Sequence, residues 1–462
     1  MRAAAIPWVR CLVVATAACG NGKLRPVDAG DGPPPVEADA EVPDAAPPCP
    51  APGGPTMHTT GSVRTDEVWA AADNPHVVPL DVTITATLTL EPCVEVQVGA
   101  QHSLTVRQGG ALVAEGTAAQ PIRIHAIDAA APFAQLHTAP GGTIRLVHTT
   151  VEDGGDPLNR VPEFAGMLDL QGADQTLPPQ ATLFVDHVTV RGSGSNGLIL
   201  YDGAGFAPGS TDLTVESSTL YPIHVWSRAA GTVPVGRYTG NGADEILLTT
   251  SRAQEAVQED VTFHDRGVPY HVGHATSQGD LRVERAPNTG VATLTIEPGV
   301  TLRFKRGGGL YVQFATGDAP ATGALVAVGT AAKPIVFTSA ADTPAAGDWL
   351  GVHFGLIPDA RNRLDHVRIE YAGALSNGGS NACPLPSAPV VSGAIRIYGL
   401  PPSVFVTNTE IVASQRHGID RGWRANERPS FLDSNTFTNV GGCKETFPRD
   451  ANGGCPDPVP CP

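Results

Sequence analysis

Carboxylates grouped with a His or Arg are the residue types that general acid–base chemistry needs. Several stretches of this chain carry such residue types. Glu152, Asp153 and Asp156 lie in "VEDGGD". Asp186-His187 and Asp365-His366 are adjacent pairs, and "RHGIDRGW" at 416–423 gathers Arg416, His417, Asp420, Arg421 and Trp423. Each also has a plainer reading. "VEDGGD" is a polar turn, and each Asp-His pair precedes an alternating strand, where Asp serves a corner by bonding local backbone N–H groups. "RHGIDRGW" is the densest grouping, so its five named residues are the candidate ligand contacts. No catalytic residue is assigned.

Metal and phosphate motifs are weaker still. His271 and His274 in "YHVGHA" would fall on opposite faces of a strand, and neither CxxC nor HExxH occurs. "KRGGGL" and "GNGADE" are Gly-rich but do not open a helix, so neither reads as a phosphate cradle. The expectation is no metal and no cofactor.

The elements that must position these groups are strands. "GALVAEGTAAQPIRIHA" from Gly110 recurs as "GALVAVGTAAKPIVFTSA" from Gly323, and upstream "ATLTLEPCVEV" recurs as "ATLTIEPGVTLRF". Within both copies apolar residues alternate, Leu88, Leu90, Val94 and Val96 against Leu294, Ile296, Val300 and Leu302, which means one face in and one out. Gly116 and Gly329 suit a corner needing φ > 0 or no Cβ. Pro121 and Pro334 suit the start of the next strand. Looser copies ("VDHVTVRGSG", "LDHVRIEYAG", "VESSTLYPI", "VTNTEIVASQRHGI") follow at spacings of tens of residues, the mark of a solenoid. A β-propeller fits worse, because the spacings are short and irregular.

"LTIEPGVTLRF", "GALVAVGTAAKPIVFTS", "GDWLGVHF" and "LDHVRIEYAG" resemble consecutive turns of right-handed parallel β-helix proteins of the pectin-lyase-like superfold. The resemblance covers roughly Val77 to Gly442 and implies an all-β, right-handed parallel β-helix solenoid, whose domain is taken as residues 57–442. Residues 57–80 would be an N-terminal cap and 226–262 a loop decoration. It says little about function, since that superfold hosts lyases, hydrolases, adhesins and inert surface proteins. Calcium would enter only with the lyase alternative.

The ends read as export and anchoring. Residues 1–18 form a signal peptide, and "TAAC" resembles a bacterial lipobox with Cys19 as the lipid attachment site; cleavage near Ala18 with secretion is the rival. Residues 19–56 are a Pro-, Ala- and Asp-rich tether expected to be disordered, and 443–462 a Cys- and Pro-rich tail. Cys49, Cys93, Cys383, Cys443, Cys455 and Cys461 remain as disulfide candidates in an exported chain. Proximity pairs them as Cys49–Cys93, Cys383–Cys443 and Cys455–Cys461. The net charge of −16 over 462 residues makes nucleic acid an unsuitable partner. The reading is a monomeric, non-enzymatic surface protein, lipid-anchored at the outer membrane or cell surface of a Gram-negative bacterium. Its lateral face would meet a polysaccharide or a surface protein. The alternative is a polysaccharide lyase or hydrolase.

Overall fold

The computed structural model describes residues 48–155, 164–250, 255–274, 279–313, 322–376, 380–385 and 391–462. The expected signal peptide, Cys19, most of the tether and Asp156 lie outside them.

Among the described residues the short strands pair in parallel with strands one turn away. Fourteen of them stack into one sheet from Ser62–Val63 to Thr436–Thr438. At ordinary strand spacing that column is on the order of 60 Å long. Inward positions are Val, Leu, Ile and Phe, and one continuous core runs from Val63 to Phe431. The fold is a parallel β-helix.

Each complete turn has three strands. In the first copy of the duplication they are Thr87–Leu90, Glu95–Val98 and Ser103–Val106, followed by Ala111–Glu115, Ile122–Ala126 and Gln135–Thr138. The third strand of each of these turns joins the fourteen-stranded sheet, and the first two join a twelve-stranded sheet. The second copy runs Ala292–Ile296, Thr301–Phe304 and Gly309–Val312, then Gly323–Val328, Ile335–Ser339 and Val352–Phe354. Here the second strand joins the fourteen-stranded sheet, and the first and third form two five-stranded sheets. Identical sequence therefore lies on a different column.

The change happens where a loop decoration was expected. The described residues of 226–262 belong to the coil: Ser227–Thr232 is a 3-10 segment, Gly236–Arg237 ends the twelve-stranded sheet, and Ile246–Thr249 continues the fourteen-stranded one. Val257 then pairs with Val283 and starts a new column. The rung pattern was illegible there because these strands are short and flanked by polar turns. Residues 57–80 likewise already carry strands in parallel register, so they form the first turns rather than a separate cap.

The cysteines close as Cys49–Cys93, Cys383–Cys455 and Cys443–Cys461. The two C-terminal pairs differ from pairing by proximity. The tail folds back along the last turns, where Cys383 N–H donates to Phe447 O and Cys443 N–H to His417 Nδ1. That places Cys455 and Cys461 beside partners far away in sequence.

Candidate functional site

The Asp-His pairs are corners, by a mechanism other than the expected one. His148, His187 and His366 have φ of 42°, 54° and 51°, so each imidazole-bearing residue makes the left-handed bend itself. The Asp carboxylates accept from the neighbouring ring, not from the backbone: His187 Nδ1 lies 2.7 Å from Asp186 and His366 Nδ1 2.8 Å from Asp365. The duplicated glycines sit one turn below. A Cβ on Gly116 would lie 2.8 Å from His148 O, and one on Gly329 2.5 Å from His366 O. Absence of Cβ, not positive φ, is what these two positions require.

The two corners differ in charge. Asp186, His187 and Asp212 offer three donors within 4.8 Å of one another, mostly exposed, a set that could hold a metal ion. In the second corner Asn408 donates to Asp365, and Arg363 pairs with the same carboxylate at 3.0 Å, so that acid is neutralised.

Glu152 of "VEDGGD" is the buried last residue of the strand Thr143–Glu152, held between Arg123 and Arg191 on the turns either side. Burial works against its charge, but the two guanidinium groups hold the carboxyl below the ordinary range. Asp153 is a positive-φ residue at the following bend. A carboxylate saturated by two arginines is a ladder rung, not an acid or base awaiting substrate.

The outward face of the fourteen-stranded sheet carries a second polar series. His137 Nδ1 lies 2.9 Å from Asp169, and His271 Nδ1 lies 2.6 Å from Glu245, which Arg303 also pairs. Phe164 covers His224 and His274, so His271 and His274 make separate contacts. Asp169 lies three turns before Leu247, near Glu245, or about 14 Å at ordinary strand spacing. That is too wide for two carboxylates to share one glycosidic bond.

The densest grouping in the sequence is divided by the fold. Strand His417–Arg421 sends successive side chains to opposite faces. Arg421 stands at the inward register position next to Ile397, pairs with Glu445 at 3.3 Å and donates to Thr446 O and Pro429 O. Trp423 is buried and donates to Glu427 O. His417 is buried beside Arg416, and both effects press its pKa to about 4. These residues, expected as ligand contacts, close the end of the core, because the last turn has no further apolar layer to cover it.

Arg416 is half-buried just before this strand, and Asp420, at an outward register position, belongs to a row missed in the sequence. Arg282, Tyr311, His353, Arg396 and Asp420 occupy one register position on five consecutive turns of the five-stranded sheet Asp280–Val283 to His417–Arg421. Their neighbours Leu281, Val283, Leu310, Val312, Val352, Phe354, Ile395 and Ile397 point inward. Arg396 donates from Nε to Asp420 at 3.0 Å, Ser380 donates to the other carboxylate oxygen at 2.8 Å, and Arg396 also reaches Ser376. Tyr311 meets His353 edge-on at 4.8 Å, and Tyr398 lies 6.4 Å beyond. Arg282 pairs with Glu284 at 3.8 Å. Half-buried Tyr311, Tyr398 and Arg282 form a rim over buried His353 and Arg396. Asp280 stands at that rim, and burial lifts its pKa to about 6 against the opposing pull of Arg282 and the Gly309 N–H.

One known family matches the chain. Residues 278–357, less than a fifth of it, fit the pectate-lyase like beta helix domain. That stretch is similar to such a domain. It spans the turns that carry Arg282, Tyr311 and His353. Neither curated proteins nor solved structures gave a match.

Proposed function

We propose that the protein is a non-enzymatic, lipid-anchored surface β-helix whose lateral face binds a glycan. The observation that carries this reading is the outward row from Arg282 to Asp420. Arg396 is paired with Asp420 and Arg282 with Glu284, while the rings of Tyr311 and Tyr398 stand at the rim over buried His353. A surface of that kind recognises hydroxyl groups and ring faces without supplying a free base. Three disulfides accord with an oxidising, exported location.

The test is a panel of immobilised polysaccharides probed with the mature chain, with reducing ends and ultraviolet absorbance of unsaturated products followed in parallel. Binding without turnover is the expected outcome. Asp280, a carboxyl with a raised pKa, is the one observation favouring a hydrolase or lyase. Turnover abolished by Asp280→Asn would replace the leading reading with that one, and a requirement for calcium would select the lyase. Anchoring is a separate arm: Cys19→Ala moves the protein from the membrane fraction to the soluble fraction, and unchanged partition and mass would reject Cys19 as lipid carrier.

A further inference from the structure

Three consecutive turns place His148, His187 and Asp212 at one corner position, with φ of 42°, 54° and 47°. Asp186, just before His187, completes the group. His187 Nδ1 lies 2.7 Å from Asp186 Oδ1, a hydrogen bond that takes the ring proton of that nitrogen. Nε2 then turns its lone pair toward Asp212 Oδ2 at 3.4 Å. Two electron-pair donors at that distance are reconciled by a second proton or by a metal ion. A carboxylate on the far ring nitrogen is also how metal-ligating histidines are oriented.

The other corner shows the same bend with its charge cancelled inside the protein. His366, with φ of 51°, bonds Asp365 at 2.8 Å, but Asn408 stands where Asp212 does and Arg363 pairs with Asp365 at 3.0 Å. Around Asp186 and Asp212 no Lys or Arg among the described residues comes within 4 Å, and His187 is their one basic partner. His148 adds a second imidazole, stacked on His187 with ring centroids 4.5 Å apart. Its ring nitrogens have no hydrogen-bond partner among the described residues. Unlike the buried groups of the outward row, His187 and Asp212 are exposed, so an ion reaches them from solvent.

We infer that Asp186, His187 and Asp212 bind a divalent transition-metal ion of the zinc class. Their donor atoms lie within 4.8 Å of one another. Exposed side chains need close that gap only slightly to share an ion at bond lengths of about 2.0–2.2 Å. An imidazole nitrogen with carboxylate oxygens suits zinc and its neighbours, whereas calcium takes about six to eight oxygens. The ion ties the turn of Asp186 and His187 to the turn of Asp212, one turn before Gly236–Arg237 ends the twelve-stranded sheet. This inference stands apart from the glycan-binding reading.

The probe is zinc chloride, titrated calorimetrically into the tag-free mature chain after EDTA treatment and dialysis, with calcium chloride alongside. One zinc per chain is expected. Binding is at least tenfold weaker in His187→Asn and in Asp212→Asn, which copies the second corner, while His366→Asn keeps full affinity. Zinc also raises the melting temperature of the unaltered chain, and both corner variants lose that rise. Asn already occupies the left-handed position 408, so both variants keep the bend, and melts in EDTA separate lost binding from lost fold. Zinc binding indifferent to both substitutions overturns the site, and so does an equal loss in His366→Asn. No binding at millimolar zinc overturns it as well and leaves a protonated imidazole between two carboxylates. Tighter binding of calcium than of zinc overturns the assignment of the ion.

Discussion

The two copies of the duplicated segment share their inward residues and their corners and differ in what the second and third strands of the turn show to solvent. Both stack Val, Leu, Ile and Phe on the same core, and both set a glycine under a histidine carbonyl. In the first copy the second strand of each turn lies on the twelve-stranded sheet, where outward side chains of this and later turns make a ladder, Arg123–Glu152–Arg191 around the buried Glu152 and then Arg237–Glu216. In the second copy the same strand lies on the fourteen-stranded sheet, and the following strand joins a separate face, begun at Asp280–Val283, that carries Arg282, Tyr311 and His353. Duplication preserved the coil while a shift of one column produced a surface that the first copy lacks. Scaffold and site are separable here because only alternate residues serve the core.

The largest contrast is expected between two arginines. Arg396→Ala strips a 1%-exposed partner from Asp420 and strands a buried charge, at a cost of about 3–5 kcal/mol. Arg123→Ala removes a half-exposed partner from Glu152, which keeps Arg191, and should cost below about 1 kcal/mol. Urea unfolding of both variants with a common m-value measures the difference. Equal losses would mean that the C-terminal row is as solvated as the ladder.

How much of this was legible in the sequence follows from sequence distance. Strand alternation and the corner glycines lie within windows of a few residues, so the fold and the corner role of the Asp-His pairs could be read directly. The row from Arg282 to Asp420 has one member per turn, and each looks like an isolated polar residue in an apolar strand: "DLRVE", "GLYVQ", "GVHFG", "AIRIY", "GIDRG". Aligning those outward positions was the only signal available, and local density pointed instead to "RHGIDRGW", whose Arg421 and Trp423 face the core end. The column shift left no trace either, because both copies read alike. The C-terminal disulfides escaped for the same reason as the row: the coil returns distant segments to one place.

Acid sensitivity gives a middle-sized contrast, of opposite sign in the two regions. Glu152 titrates below its unfolded value, so its stabilisation is present above about pH 4.5 and is lost as pH falls through the lowered pKa. Asp280 titrates near 6 when folded and near 3.8 when unfolded. Its contribution is full below about pH 4 and is lost as pH rises through 6, by roughly 1–2 kcal/mol once partial solvent screening is allowed for. Asp280→Asn should therefore flatten the stability profile between pH 4 and 6, while Glu152→Gln flattens it only below 4.5. Unfolding midpoints recorded across that range decide it, and an unchanged slope in Asp280→Asn would place that carboxyl in open solvent.

The smallest expected effects are at the corners, where the two regions use different residues for one bend. Asn408, with φ of 47°, stands one turn above His366, and Asp212, with the same φ, one turn above His187. Short polar side chains tolerate the left-handed region because they hydrogen-bond locally, whereas a β-branched one clashes with its own backbone. His187→Asn should thus leave stability within about 0.5 kcal/mol, since its ring is exposed and its partners Asp186 and Asp212 stay hydrated. His187→Val should cost about 1–2 kcal/mol by strain alone. His366→Asn should cost more than His187→Asn, because Asp365 is more deeply buried than Asp186 and loses one of the donors that hold its charge. Thermal melts of the three variants in EDTA give the order. If His187→Asn were the worst of them, the imidazole itself would hold that corner even without an ion.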